Sequence, residues 1–155
     1  GDEAAPRHAV AGSSCKIDLC VLVHGMSGHC TDWDIWFQVL ASQYPSWKVV
    51  ALQSLARGAR CLASGVDQLA AMAADEIIHL INVERACFDL PVRLHVIGHS
   101  LGGIIIRGAL PSILKAFQKD CLQLGHYMSL STPHLGIRAS WTSPHHAWRN
   151  LLGPL

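Results

Sequence analysis

Charge is scarce in this sequence: only 15% of its 155 residues are Asp, Glu, Lys or Arg, and the net charge is +1. That balance leaves no basic stripe and no acidic block, which argues against nucleic acid and against an anionic membrane surface as electrostatic partners. The ten histidines are scattered and add little charge at neutral pH. Long apolar runs are also missing. Leu19–Val23 and Leu101–Leu110 are the greasiest stretches, the second broken by Gly102, Gly103, Arg107 and Gly108; neither approaches the roughly 18–20 residues that span a bilayer. The six cysteines, Cys15, Cys20, Cys30, Cys61, Cys87 and Cys121, contain no CxxC pair, which argues against a zinc ribbon or a redox motif. Cys20, inside an apolar run, reads as a small buried thiol. Cysteine usage leans towards a reducing, cytoplasmic compartment. No methionine opens the chain, and Gly1–Ser14 lacks the charged-then-apolar build of a signal peptide. The expectation is a fragment or a processed product, with an upstream signal left open. There is no repeat and no low-complexity segment.

What is present is an alternation of short apolar strands and helices. Gly1–Lys16 is small and polar without periodicity, and reads as a tail or linker. Ile17–Val23 is a nearly continuous apolar run, the pattern of a strand buried on both faces. After a loop with two glycines, Thr31 or Asp32 is placed to cap a helix whose apolar residues Trp33, Trp36, Phe37, Leu40 and Tyr44 fall at helical spacing, and Pro45 ends it. Trp47–Leu52 reads as a second strand. Beyond a loop over Arg57–Gly65, Leu69, Met72, Ala73, Ile77, Leu80 and Ile81 mark one face of a second helix. Pro91 precedes a third strand, Val92–Ile97; Gly98–Gly102 reads as a tight turn, and Gly103–Leu110 as a helix interrupted by Pro111. Tyr127–Leu130 is a fourth, shorter strand. Such alternation predicts an α/β fold, a parallel sheet covered by helices on both faces in three α/β/α layers. Ser131–Leu155 is broken by Pro133, Pro144 and Pro154, and Trp141 and Trp148 within it are costly to leave in water. The packing partners of that stretch are expected beyond Leu155.

The chemistry-bearing motif is Gly98-His99-Ser100-Leu101-Gly102, a G-x-S-x-G. A serine hydroxyl is a poor nucleophile unless the fold fixes it beside a base. A sharp strand-to-helix turn does this, with the serine at its strained apex. Side chains on either side of the apex would collide, hence Gly98 and Gly102, while Gly103 lets the helix approach the sheet. The pattern alone is weak; here it follows a β-branched strand and opens an apolar helix, which is the confirming context. A phosphate-cradling turn is the competing reading, but it calls for G-x-x-x-x-G-K-[ST], and no lysine stands at the required place. A second piece is His24-Gly25-Met26. Acyl transfer builds negative charge on a carbonyl oxygen, and each backbone N–H aimed at it is worth about 2.7–4 kcal/mol. Leu101 is the expected donor from the residue after the serine, and Met26 from the earlier loop, with Gly25 letting the backbone turn. Both loops follow strand ends, and they meet at a topological switch point if those strands are neighbours.

In this kind of site the order along the chain is serine, then Asp or Glu, then His. No Asp or Glu follows Asp120, which precedes the fourth strand and lies at the wrong end. Of the later histidines, His126 begins a strand and reads as structural, while His145 and His146 would need an acid to orient them. His99, held in the turn, points away from the serine, and His24 belongs to the oxyanion loop. No ligand spacing for a metal is present. The triad acid and histidine are therefore expected outside this chain, which reads as a tail (1–16) followed by a partial domain (17–155) cut at its C-terminus.

With these pieces in hand, the sequence resembles the putative serine esterase (lipase-like) family of α/β-hydrolases, in its N-terminal part. The matching stretches are Leu22-Val23-His24-Gly25-Met26-Ser27-Gly28 with Asp32-Trp33, Ser64-Gly65-Val66-Asp67 leading into Leu69–Ile77, Ile97–Gly103, and Ser129-Leu130-Ser131-Thr132-Pro133-His134-Leu135-Gly136. The resemblance implies hydrolysis of lipid esters through an acyl-serine at Ser100, with Leu101 and Met26 as oxyanion donors and no cofactor. His134 matches the post-strand loop and is taken as architectural. The implied partner is a lipid or small ester, compatible with peripheral contact to a membrane; oligomeric state is not readable. Two alternatives stay open: a hydrolase-fold module that binds or scaffolds without catalysis, and a thioesterase or peptidase using the same triad.

Overall fold

Leucine, cysteine and valine follow one another without a polar break in Leu19–Val23, so neither face of that segment can be left in water, and both are buried. The computed structural model describes residues 15–26, 28–55 and 65–136. Within them the chain runs β1 (Ile17–Val23), a 3-10 turn (Cys30–Trp33), α1 (Asp34–Gln43), β2 (Lys48–Ala51), α2 (Val66–Phe88), β3 (Val92–His99), α3 (Leu101–Ala116) and β4 (Leu122–Leu130). The four strands make one parallel sheet in the order β2-β1-β3-β4. The protein is thus an α/β fold. On one face Leu19, Val21 and Val23 pack with Leu69, Ile77 and Ile81 of α2 and Ile105, Ile106 and Ile113 of α3. On the other, Cys20, Leu22 and Ile97 lie under Trp33 and Leu40. Burial in this apolar layer pushes the Cys20 thiol up to about 12. Residues 1–14 of the expected tail (1–16), Ser27, most of the expected loop over Arg57–Gly65, and the segment 137–155 with Trp141, Trp148, His145 and His146 lie outside the described residues.

Several boundaries differ from the sequence expectation, each for a local reason. Neither Thr31 nor Asp32 caps the first helix. His29 caps the 3-10 turn instead: its side chain accepts the Thr31 N–H while Asp32 Oδ2 accepts the His29 N–H at 2.8 Å. The third helix does not stop at Pro111 but runs on to Ala116. Proline there removes the bond to the Arg107 carbonyl; both residues are on the exposed side, where the carbonyl is open to solvent, and Ile113 on the buried side keeps the next turn worthwhile. The fourth strand begins at Leu122, five residues earlier than expected, and contains a bulge: β3 and β4 pair Leu94 with Leu124, then Val96 with Tyr127. One extra residue on β4 reverses its alternation. Beyond the bulge Tyr127 faces α3, and its hydroxyl donates to the Gly103 carbonyl at 2.8 Å.

At the start of β1, Asp18 receives Arg93 through Nε and Nη2 at 2.5 and 2.9 Å. That guanidinium, more than the opposing burial and helped by His95, holds the Asp18 carboxyl down to about 2 from the ordinary 3.8. A depressed folded value means that the unfolded chain binds the proton first as pH falls. The stability this group contributes is complete above about 3.8 and is lost on the way down through about 2. Asp18→Asn is expected to flatten that part of an acid-unfolding curve followed by circular dichroism; an unchanged slope would show that the ion pair does not set it.

Candidate active site

β1, β3 and β4 end on the same edge of the sheet, and the residues singled out in the sequence gather there. β3 runs to His99 and α3 opens on Leu101, so the whole reversal is made at one residue, Ser100, with φ 54° and ψ −124°. This is tighter than the five-residue turn expected over Gly98–Gly102. A non-glycine at such a φ is strained by roughly 1–3 kcal/mol and persists only when its surroundings fix it. They do so from three sides. The Ser100 N–H donates to the Leu130 carbonyl at 2.8 Å, tying the apex to the end of β4. A Cβ on Gly98 would stand 2.6 Å from Gly103 Cα, so the strand and helix limbs touch backbone to backbone. A Cβ on Gly102 would stand 2.2 Å from the Val23 carbonyl oxygen; α3 is seated directly on the end of β1.

The loop after β1 closes over the same point. β1 and β3 are neighbours, so their two loops do meet at the switch point of the sheet. A Cβ on Gly25 would lie 2.8 Å from Ser100 Cβ and 3.3 Å from Ser100 Oγ; only a glycine leaves the hydroxyl room. Met26 follows, half-buried against the core, and Gly25 and Gly28 close a turn at 3.2 Å. His24 is buried, with its Nδ1–H donating to the Gly25 carbonyl at 2.9 Å. Its Nε2 has no partner among the described residues, and neither has Trp33 Nε1. A hollow of about 320 Å³ opens beside the turn, lined by His24, Asp32, Trp33, Trp36, His99 and Leu130. That is at the small end of ligand pockets.

The segment after β4 supports this edge from the far side. Ser131 takes φ 49°, and Thr132 packs where a Gly103 Cβ would be, 2.2 Å from its Oγ1. His134 bridges the segment to α3: Arg107 Nη1 donates to its Nδ1 at 3.3 Å, and its Nε2–H donates to Ser129 Oγ at 3.0 Å. His126 does not begin a strand. It lies inside β4 with its Nδ1 2.9 Å from that of His95. Among the described residues nothing is hydrogen-bonded to the Ser100 hydroxyl, and no group of His, Cys, Asp and Glu could hold a metal. No described helix is long and apolar enough to cross a membrane.

Sequence reasoning did not single out Leu130, whose carbonyl braces the apex, or Thr132 and Tyr127, which hold α3 against β4. The run Ser129–Gly136 stands out in the sequence only by its resemblance. Its role is packing, and packing partners leave no mark in a single sequence. Trp33 and Trp36, which their spacing places on the apolar face of a helix, also wall the hollow.

A parallel α/β sheet with a strained serine between a buried strand and a helix, and a glycine loop laid over it, is the framework of a serine hydrolase. The Putative serine esterase (DUF676) family model matches residues 13–151, and the chain belongs to that family. The family gives it a general esterase-like character.

Proposed function

We propose that the protein is a serine esterase that cleaves carboxylic, lipid-type esters through an acyl-serine at Ser100. The observation that carries this reading is the Ser100 apex itself: φ 54°, hydroxyl unbonded among the described residues, and Gly25 stripped of any side chain above it. Ser100 Oγ attacks the ester carbonyl carbon, its proton passes to a histidine base, and the alcohol leaves with a proton from that base. Water then attacks the acyl-enzyme by the same route in reverse. Leu101 N–H, at the first turn of α3, and Met26 N–H, in the loop after β1, are the donors for the oxyanion. The first helical N–H groups have no carbonyl partner within their own helix, so Leu101 is free to serve. The hollow walled by Trp33, Trp36 and Leu130 suits an apolar acyl chain, which supports the preference for lipid-type esters. The base and its acid are assigned to positions outside the described residues.

Fluorophosphonate labelling tests this. The 155-residue chain and a C-terminally longer product are each treated with the probe, with Ser100→Ala as control. The longer product is expected to label and Ser100→Ala to abolish the signal. Labelling that survives Ser100→Ala overturns the nucleophile assignment. A folded longer product that never labels points to a binding module on a hydrolase fold.

A further inference from the structure

A buried polar cluster lies well below Ser100, on the α1 face of the sheet. His95 of β3 is only 2% exposed. Its Nε2 lies 3.0 Å from Asp18 Oδ1 on β1, and its Nδ1 lies 3.1 Å from the backbone N–H of His126 and 2.9 Å from His126 Nδ1 on β4. Trp47, just before β2, stacks on the ring at 4.0 Å, and Tyr44 stacks on Trp47 at 4.1 Å. The remaining titratable groups facing the ring are Cys20, its register neighbour on β1, and Arg93, two residues back on β3. Gly125 is the residue that lets β4 close on this ring, since a Cβ there would stand 2.5 Å from His95 Nδ1.

Hydrogen-bond logic fixes the proton positions. A backbone N–H can only donate, so His95 Nδ1 is the acceptor and carries no hydrogen. The hydrogen of His95 is on Nε2, facing the Asp18 carboxylate, and the hydrogen between the two histidines belongs to His126, whose ring and backbone N–H share the single lone pair of His95 Nδ1 in a three-centre bond. His126 is exposed on its other side. A proton on His95 Nδ1 would face two N–H donors, and both bonds that close the bulge would be lost.

The bulge lies just ahead of the contacts by which β4 and the segment after it brace the serine. Tyr127 holds Gly103, Ser129 holds His134, Leu130 accepts the Ser100 N–H and Thr132 packs on Gly103. We propose that His95 is a positioning residue for Ser100: as a neutral acceptor it clamps the β4 bulge, and on taking up a proton it releases β4 from beneath the serine. The consequence for reactivity rests on the reading of Ser100 as the nucleophile; the clamp itself does not.

Burial, outweighing the attraction of Asp18, lowers the His95 value from the ordinary 6.5. With β4 released the ring regains water and takes the proton more readily. The released form therefore grows by about tenfold per pH unit below 6.5, down to the lowered value.

The test is amide exchange of the full chain by NMR, corrected for intrinsic rates, over about pH 7.5 to about 5. Protection at His126, Tyr127 and Ser100 is expected to fall together, by about tenfold per pH unit below 6.5, levelling off where the His95 ring itself takes up its proton. His95→Asn places an amide oxygen where Nδ1 stands and cannot take a proton; it is expected to remove the pH step. Wild-type data alone decide the matter if that variant does not fold. A Ser100 amide indifferent to pH while His95 titrates overturns the proposal, as does a His95 ring already charged at neutral pH. If the coupling is present but Ser100 never labels with fluorophosphonate, the nucleophile reading fails and the clamp stands.

Discussion

Ser100→Ala is expected to abolish ester hydrolysis in the catalytically complete protein, lowering kcat by about 10⁶-fold. Serine, base and acid act as a unit, so loss of the nucleophile alone removes nearly all that the unit contributes. Stability is expected to move in the opposite sense when the replacement is glycine. Ser100 sits at φ 54° and ψ −124°, a region glycine enters freely and other residues enter at a cost. After the entropy that glycine loses on folding, Ser100→Gly should still raise stability by about 1 kcal/mol, whereas Ser100→Ala keeps the strain. Turnover of a p-nitrophenyl ester and thermal unfolding, measured on both variants, separate the two effects. Full activity in Ser100→Ala would remove the serine from the mechanism. A glycine variant no more stable than the alanine one would show that the turn stores no strain.

Gly102→Ala is expected to be among the most damaging single-methyl additions to this chain. The new Cβ would stand 2.2 Å from the Val23 carbonyl oxygen and 2.6 Å from that of His24. Both obstacles are backbone at the buried end of β1, so no side chain can turn aside, and α3 must lift from the sheet. Overpacking with backbone displacement costs about 3 kcal/mol or more, a melting point lower by roughly 10 °C for a domain of this size. Gly108→Ala, later in the same helix, is the control. Its Cβ meets only Ala70 Cβ at 3.1 Å, and alanine is the better helix former by about 1 kcal/mol, so that variant should melt near the parent. Equal losses in the two variants would refute the close seating of α3 on β1.

Features set by runs of similar residues were legible in the sequence, and features set by a distant partner were not. Ile17–Val23 was read to the residue because burial on both faces forces an unbroken apolar run. The pairing of a glycine-flanked Ser100 with the Gly25 loop was legible because each glycine marks backbone contact. The first half of β4 was missed because Gly125 and His126 interrupt the alternation at the bulge, which only His95 explains. A histidine midway along an apolar strand was a signal: a polar group there needs partners, and Asp18 was the one polar residue in the first strand, on the same face and two positions from the register partner of His95. Helix α3 was cut short at Pro111 because the sequence does not show that Arg107 is exposed.

The common edge on which β1, β3 and β4 end also bears on how such a protein can diversify. Gly25, Ser100 and Thr132 each stand within two residues of the last residue of a strand, while the packed layers lie behind them. On the proposed reading, substitutions around the hollow at Asp32 or Trp36, which lie outside the strands, would retune which ester is accepted without touching the sheet. Heritable change in specificity and heritable change in stability are drawn from largely separate positions.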